Sequence, residues 1–477
     1  MKKTIFILLA LAFIAGCREP EPVSPELADG PELVSSDPAD GADDIIGDVI
    51  SVTLTFNQNV MCPTSERGRI SIDSGAELSD LNPYMKDITV KVSGLVPSQK
   101  YTLVFPEGTI LGYGNNQKPA KEIRLTFSVK APCQQDIAKS LVTENPTDNA
   151  RRLYEYMLSI YGKKTLSGAI AKVDWNRDEA EWIHKWTGKW PAMATFDYIH
   201  LQSSPSNWID YSDITPAREW FEMGGIVSAC WHWNVPAKEG SAEYTCTPGD
   251  GSQSSDGTWT TVFRPSRIFE EGTWENRTVK ADLEKMAGYL RLLQDAGIPV
   301  VWRPLHEAAG NTYTQWHSGA WFWWGADGGE TYVRLWRYMF DYFKEAGIRN
   351  LIWVWTTQAS SYGDMDMPFY PGDGYVDIIG RDIYNVASEA VLKTNFGIVT
   401  EMFLNKMVAL SEHGGVSDMN SQWNAGAKWL YFMPWYDYGL DGTEGYAHTH
   451  ADIAWWKKTW ACGDVIDLSA LPDDLFE

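Results

Sequence analysis

The sequence has no long basic run, and its 40 Lys and Arg are outnumbered by 63 Asp and Glu, for a formal charge of −23. A field of that sign repels phosphate backbones and anionic head groups, which excludes nucleic acid as a partner. Cysteine is scarce, six in 477 residues, and none has the paired spacing of a zinc site. With Cys17 set aside, Cys62, Cys133, Cys230, Cys246 and Cys462 are an odd, widely spaced set that leaves room for one or two disulfides without a readable pairing. No G-x-S-x-G elbow occurs, and no G-x-G-x-x-G opens a helix after a strand, so the usual esterase and dinucleotide readings fall away. His306-Glu307 begins like H-E-x-x-H, but Gly310 stands where the second zinc ligand would be, and His448 and His450 read as a solvated H-x-H. Neither a metal nor a cofactor is expected.

At the amino terminus Lys2 and Lys3 precede an apolar run from Ile5 to Ala15, too short for a permanent membrane helix, and then Gly16 and Cys17. This is the layout of a secretory signal, and its ending FIAGC resembles a bacterial lipoprotein box. The resemblance implies cleavage that leaves Cys17 as the lipid-bearing first residue. The expectation is a leader over residues 1–17, a Pro-, Glu-, Ser- and Asp-rich tether over 18–35, and a protein lipid-anchored in the outer membrane. Glu19 and Glu21 after Cys17 suggest display at the cell surface.

Residues 36–130 alternate as strands do. VISVTLTFNQNV places Ile50, Val52, Leu54 and Phe56 on one face, and short runs follow at 69–72, 88–92, 100–105 and 122–129, separated by Gly, Asn, Pro and Ser turns. A small antiparallel sandwich is expected. The stretches SSDPADGADDI and SGLVPSQKYTLVFPEGTI resemble bacterial Ig-like domains. All 24 tryptophans lie at or beyond Trp175, so this block lacks indole platforms for sugar and reads as a spacer.

Residues 137–468 change pattern to strands alternating with helices. Strands are expected at 164–170, 190–198, 226–234, 299–306, 351–357, 376–384, 406–412 and 428–435, with helices clearest at 178–187, 216–223, 280–296, 331–346 and 389–403. That order predicts a (β/α)8 TIM barrel. The link over 358–375 has no long helical stretch, so an open doubly wound sheet with fewer strands is the alternative. Polar and aromatic residues gather at the carboxyl ends of the strands, where a barrel builds its active site: Asp197 and Tyr198, His232 and Trp233, His306 and Glu307, Asp382 and Tyr384, Glu412, then Trp435 and Asp437.

Two of these strands, IPVVWRPLHE and KMVALSE, run as apolar segments into an acid, Glu307 and Glu412. Ends of the fourth and seventh strands face each other across the mouth, close enough for the roughly 5–5.5 Å separation of retaining glycosidases. Sugars need aromatics interleaved with polar groups, and the barrel supplies both. Trp336, Trp353 and Trp429 fall inside helix or strand patterns and read as core.

WRPLHE at 302–307, WFWWG at 321–325 and ALSEHGG at 409–415 resemble the β-mannanases of glycoside hydrolase family 26, a retaining barrel family. The resemblance covers nearly all of the chain beyond Ile137. It implies Glu307 as acid/base, Glu412 as nucleophile, His306 near the scissile bond and Tyr384 of GRDIYN orienting the nucleophile. His232, Trp233, Trp324 and Trp435 match cleft-lining positions, and Asp197, Tyr198 and Asp437 are added from their strand ends. The family usually has an apolar or aromatic residue soon after the nucleophile, where this sequence has His413.

The resemblance implies a monomeric enzyme acting on β-mannan polysaccharide or manno-oligosaccharides without a cofactor. Alternatives are the same fold acting on β-1,3-xylan or mixed-linkage β-glucan, and a surface glycan-binding lipoprotein without turnover. The Gly- and Ser-rich insert over 237–272 is expected beside the cleft, where it could decide between open-ended and chain-end cleavage.

Overall fold

A computed structural model describes residues 29–45, 49–96, 99–114, 117–130, 136–310, 319–358, 366–437 and 448–477. The expected leader, its Cys17, most of the tether and Cys133 lie outside the described residues. The chain divides into two compact units, residues 1–131 and 132–477.

The first unit holds two four-stranded sheets. One orders Leu33–Asp37, Val49–Phe56, Asp87–Ser93 and Glu77–Tyr84, all antiparallel; the other orders Ala42–Ile45, Ile123–Val129, Lys100–Phe105 and Ser71–Ile72. Ala42–Ile45 runs parallel to its neighbour. Val52, Leu54, Val90 and Val92 from one sheet and Tyr101, Leu103, Leu125 and Phe127 from the other share one core, as the period-two pattern requires. Ala42–Ile45, which no expected run covered, departs from the antiparallel expectation, and two more strands of these sheets were not foreseen as such. Leu33–Asp37, which pairs with Val49–Phe56, begins inside the stretch over 18–35 expected to be tether. Glu77–Tyr84, ELSDLNPY, carries too few apolar residues to signal a strand because it lies at a sheet edge and buries none of its residues fully.

The second unit contains eight parallel strands: β1 (Thr165–Ile170), β2 (Met193–Asp197), β3 (Ile226–Trp231), β4 (Val300–Pro304), β5 (Leu351–Thr357), β6 (Ile378–Tyr384), β7 (Met407–Gly414) and β8 (Tyr431–Pro434). β1 pairs with both β2 and β8, so the sheet closes. The seam is short on one side, where β1 and β8 match only Leu166 to Tyr431 and Ser167 to Phe432. A short strand, Val465–Ile466, adds to β1, and the chain beyond residue 468 still packs, with Leu471 and Leu475 buried and Phe476 against Phe221.

Before β1 comes α1 (Asp148–Ile160), which sequence reasoning missed. It is capped by the Thr147 hydroxyl, and its Leu153, Tyr154 and Met157 cluster with the lumen residues Leu166, Val301, Ile352 and Ala409. α2 (Asp178–Thr187), α3 (Thr215–Glu222), α4 (Trp274–Asp295), α5 (Gly329–Glu345) and α6 (Glu389–Met402) follow β1, β2, β3, β4 and β6, and α7 (Met419–Ala425) and α8 (Ile453–Thr459) follow β7 and β8. α7 and α8, also missed, are seven residues each, too short for a clear period. Between β5 and β6 the described residues form only the 3-10 turns Met367–Phe369 and Asp373–Tyr375. The closed ladder is nevertheless complete, which removes the doubly wound alternative.

β7 breaks the alternation of a strand. Met407 and Ala409 point into the lumen cluster while Val408 and Leu410 join the outer layer. On that count Glu412 would face outward. The register against β6 shifts, however: Gly380 pairs with Ala409 but Asp382 pairs with Glu412, so β7 carries one extra residue. The shift reappears against β8, between Leu410 and His413. A bulge of this kind re-aims the residues beyond it. It leaves Ser411 on the interior, turns Glu412 there as well, and sends His413 outward onto Phe432 and Trp455. Gly380 makes room, since a Cβ there would lie 2.4 Å from the Ser411 hydroxyl oxygen.

His413 therefore fills an apolar slot; both ring nitrogens are buried without a hydrogen-bond partner among the described residues, and burial pushes its pKa down to about 3. The apolar or aromatic residue usual in the family suits the same slot. Because the native imidazole stays neutral while the unfolded one protonates near its ordinary 6.5, this group's contribution is fully present above that pH and is lost as pH falls toward 3. Urea unfolding of His413→Leu across pH 7 to 4 should show a shallower loss of stability than the parent, and identical slopes would refute the assignment.

Candidate active site

The centre of the site is a buried cation. Arg303 lies on β4 two residues beyond lumen-facing Val301, and a charge on that face must find partners. Its Nη2 donates to Glu412 Oε2 at 2.9 Å and to Asp382 Oδ2, and its Nε donates to Thr356 Oγ1 at 3.0 Å. Burial disfavours the guanidinium charge, but Asp382 and Glu412 outweigh it and hold the group firmly protonated. Asp382 also accepts from the Ser411 hydroxyl at 2.7 Å, the contact that the β7 bulge makes available.

Glu412 is 6% exposed and takes a second donor on its other oxygen, the Tyr384 hydroxyl at 2.5 Å. Two donors, one of them charged, fix its orientation. Glu307 is placed differently. Pro304 ends β4, and the next residues include two in the left-handed region, Leu305 at φ 48° and Glu307 at φ 53°. Non-glycine residues in that region carry strain of about 1–3 kcal/mol each and gather at functional sites. The turn swings Glu307 over the mouth, where one oxygen from each of Glu307, Asp382 and Glu412 lies within 4.8 Å of the others.

Desolvation raises the Glu307 pKa well above the ordinary carboxylate range, and the nearby charges of Asp382 and Glu412 push it further; Arg303 and a hydrogen bond from Gln358 oppose them. Burial also raises Asp382, with Arg303 pulling the other way. Three carboxyl groups thus face one guanidinium, and Glu307, the one outside its reach, is left to hold a proton. An acid and an anion side by side can give up a proton and attack a carbon in the same space.

A histidine pair forms the neighbouring wall. His232 Nδ1 bonds Asp197 Oδ2 at 2.6 Å, and its ring edge meets His306 at 4.3 Å between centroids and Trp435 at 5.7 Å. Burial works against a charge on His232, but Asp197 prevails and its pKa is raised. His306 goes the other way: burial, then the charges of Arg303 and His232, hold it neutral. Trp435 is 9% exposed and packs against Tyr436.

The geometry brings Glu307, Glu412, His232, His306, Tyr384, Trp435 and Asp197 together, with Asp197 acting through His232. Three expected sugar contacts are fully buried instead. Tyr198 is enclosed by Trp175, Tyr211 and Trp302. Trp233 stacks on Trp231 at 3.9 Å and donates to Asp282. Trp324 donates to the His306 carbonyl and stacks on Phe322. Each follows an apolar strand or sits in an aromatic-rich loop, where the sequence does not say which ring faces in. The Asp437 carboxylate accepts from the Thr449 backbone at 2.6 Å and so organises its loop.

Sequence reasoning passed over Arg303, whose signal was a charge in an apolar strand, and Asp382, noted only as a strand end. It also passed over Phe322, whose ring lies 5.2 Å from His306. In the insert over 237–272, Tyr244–Thr245 pairs back with Val235–Pro236 just before it, and Pro265–Phe269 forms a 3-10 turn. It braces the loop after β4 through Trp323 N to Cys246 O at 2.8 Å and an Arg264–Asp327 ion pair.

Comparison with known proteins fits this geometry. Residues 142–461 match the profile of glycosyl hydrolase family 26, and residues 28–130 match the bacterial Ig-like domain. A mannan endo-1,4-beta-mannosidase of Thermothelomyces thermophilus is 31% identical over 332 residues, 68% of this chain and 62% of that protein. Mannan endo-1,4-beta-mannosidase B of Piromyces sp is 32% identical over 308 residues, 62% of this chain and 48% of that protein. The chain thus spans about half to three-fifths of the length of these curated relatives. Among solved structures, the GH26 domain of an endo-beta-mannanase/endo-beta-glucanase from Prevotella bryantii is 41% identical with a TM-score of 0.61, covering 70% of this chain and 99% of that one.

The proton on Glu307 is directly measurable. Its carboxyl carbon, followed by NMR, should titrate above the ordinary value of about 4.3, and Glu412→Gln, which removes one neighbouring charge, should move it down. Titration at or below the ordinary value in the parent protein would overturn the assignment.

Proposed function

Because the chain belongs to glycosyl hydrolase family 26, we propose that it is a retaining endo-β-1,4-mannanase that cleaves mannan, galactomannan or glucomannan by double displacement. The reading rests on one observation, two glutamates with oxygens within 4.8 Å of each other and opposite surroundings. Retaining enzymes keep their carboxyl groups about 5–5.5 Å apart, whereas inverting ones leave about 6.5–9.5 Å for a water. In the first step Glu412 attacks the anomeric carbon while Glu307 gives its proton to the leaving glycosidic oxygen. In the second, Glu307 as carboxylate takes a proton from water, which displaces Glu412 and regenerates both groups.

Tyr384 and Arg303 hold Glu412 in one orientation and delocalise its charge before attack. Neutral His306 can donate or accept toward the sugar, and Trp435 offers an apolar face for a pyranose ring. Mannan as the polysaccharide is supported by the names of the relatives, which are mannan endo-1,4-beta-mannosidases. A protist β-mannanase, 31% identical with a TM-score of 0.58, is described in complex with gluco-manno-oligosaccharide.

Glu412→Ala should lose nearly all turnover on linear mannan and regain part of it with azide and an activated mannoside, giving the α-azide. An unchanged rate without azide would remove the nucleophile. A panel of linear mannan, galactomannan, β-1,3-xylan and mixed-linkage β-glucan, read by product size, decides the sugar and the mode of cleavage. Binding without products on any of them would favour a glycan-capturing lipoprotein.

The same proposal places the enzyme on the outer membrane through a lipid on Cys17, facing out, with the Ig-like unit as a spacer. It is supported by the FIAGC ending after an apolar run and by the tether composition. Cys17→Ala should abolish palmitate labelling and move the protein out of the membrane fraction; continued membrane retention without label would refute the anchor.

A further inference from the structure

At the seam between β1 and β8 the backbone ladder ends at Ser167 and Phe432. The residues of β8 nearest the mouth, and Trp435 to Asp437 beyond them, therefore receive no ladder from β1. One buried side chain reaches across that gap. Glu179, in the first turn of α2 and 3% exposed, accepts the Asp437 backbone N–H on Oε1 at 2.7 Å and bonds His448 Nε2 through Oε2 at 2.9 Å.

The two contacts join both ends of the β8 loop, residues 437 and 448. His448 Nδ1 accepts the backbone N–H groups of His450 at 3.1 Å and Ala451 at 3.0 Å, so Nε2 carries a hydrogen and donates it to Glu179. Trp182, one turn further along α2, covers the His448 ring at 5.2 Å. The Asp437 carboxylate completes the closure by accepting from Thr449 N. A carboxylate in the first turn of a helix is further favoured by the helix dipole.

We infer that Glu179 is a positioning residue for the sugar-facing end of β8: it fixes the backbone two residues beyond Trp435 and thereby sets the tilt of that indole against His232. Trp435 is held on its other side by its own N–H, which donates to His413 O at 2.8 Å. The backbone on either side of the ring is thus held by a strand contact and a helix contact, of which the first runs to a backbone carbonyl and the second to a side chain. The inference rests on the proposed function only in taking Trp435 as a sugar contact. Glu179 lies outside the carboxylate cluster and touches no reacting atom.

The test is a double-mutant cycle on the full chain with Glu179→Ala and Trp435→Ala, using whichever polysaccharide of the panel the parent cleaves best and oligosaccharides of the same sugar. Glu179→Ala alone should raise KM by about tenfold with kcat changed less than about threefold. In the Trp435→Ala background the same substitution should change kcat/KM by less than about twofold, since interacting positions are non-additive. Full additivity, or an equal fall in kcat with unchanged KM, would overturn the inference.

Should Glu179→Ala fail to fold, Glu179→Gln is the second variant. Its amide oxygen still accepts from Asp437, but its NH2 faces the hydrogen on His448 Nε2, and it should show the same KM effect at reduced size. If Glu179→Gln folds with parental KM, the inference falls. Failure of the mannanase reading would appear separately, as activity on another polysaccharide in the panel, on which the cycle runs unchanged.

Discussion

The arrangement depends on one buried guanidinium. Burying an ion is costly unless its hydrogen-bonding groups find partners, and the Nε and Nη2 of Arg303 find them on three neighbouring strands: Thr356 on β5, Asp382 on β6 and Glu412 on β7. That demand ties the mouth ends of four consecutive strands, β4 to β7, to a single side chain. It also sets the electrostatic problem that the site solves. One positive charge can offset the anions it touches, and Glu307, nearest to them but beyond hydrogen-bonding reach of Arg303, keeps its proton. The division of labour between two chemically identical side chains thus follows from which of them the arginine reaches.

Geometry does the rest through two local departures from regular backbone. The β7 bulge reverses the facing of everything after Ser411, and without it Glu412 would lie among the outer helices with His413 in the mouth. The left-handed residues after Pro304 perform a comparable turn on β4. Neither departure stands alone: Gly380 leaves space for Ser411, Ser411 donates to Asp382, and Asp382 holds Arg303. A change at any of the three is felt at Glu412.

Much of this could be read from residue order. The eight strands announce themselves because parallel strands buried on both faces read as continuous apolar runs, and Glu307 and Glu412 stand out because each ends such a run. Short helices escaped, as α7 and α8 did, and so did the polar edge strand Glu77–Tyr84, because length and burial carry the periodic signal. Which aromatic faces sugar was not legible either. Trp324 and Trp435 look alike in sequence, yet one is sealed under Phe322 and the other borders the cleft, a difference made by how the loops pack. Arg303 was legible in principle, as a lone charge on the inward parity of β4.

Cys62, Cys230, Cys246 and Cys462 all have free thiols, and all but Cys246 are buried. Neither unit, among the described residues, is cross-linked at these positions; side-chain interlocking does the work that covalent staples do in many exported proteins. Such a molecule should keep its shape in a reducing medium, where a stapled one would loosen. Shielding of the sulfurs also limits unwanted exchange with thiols on neighbouring chains.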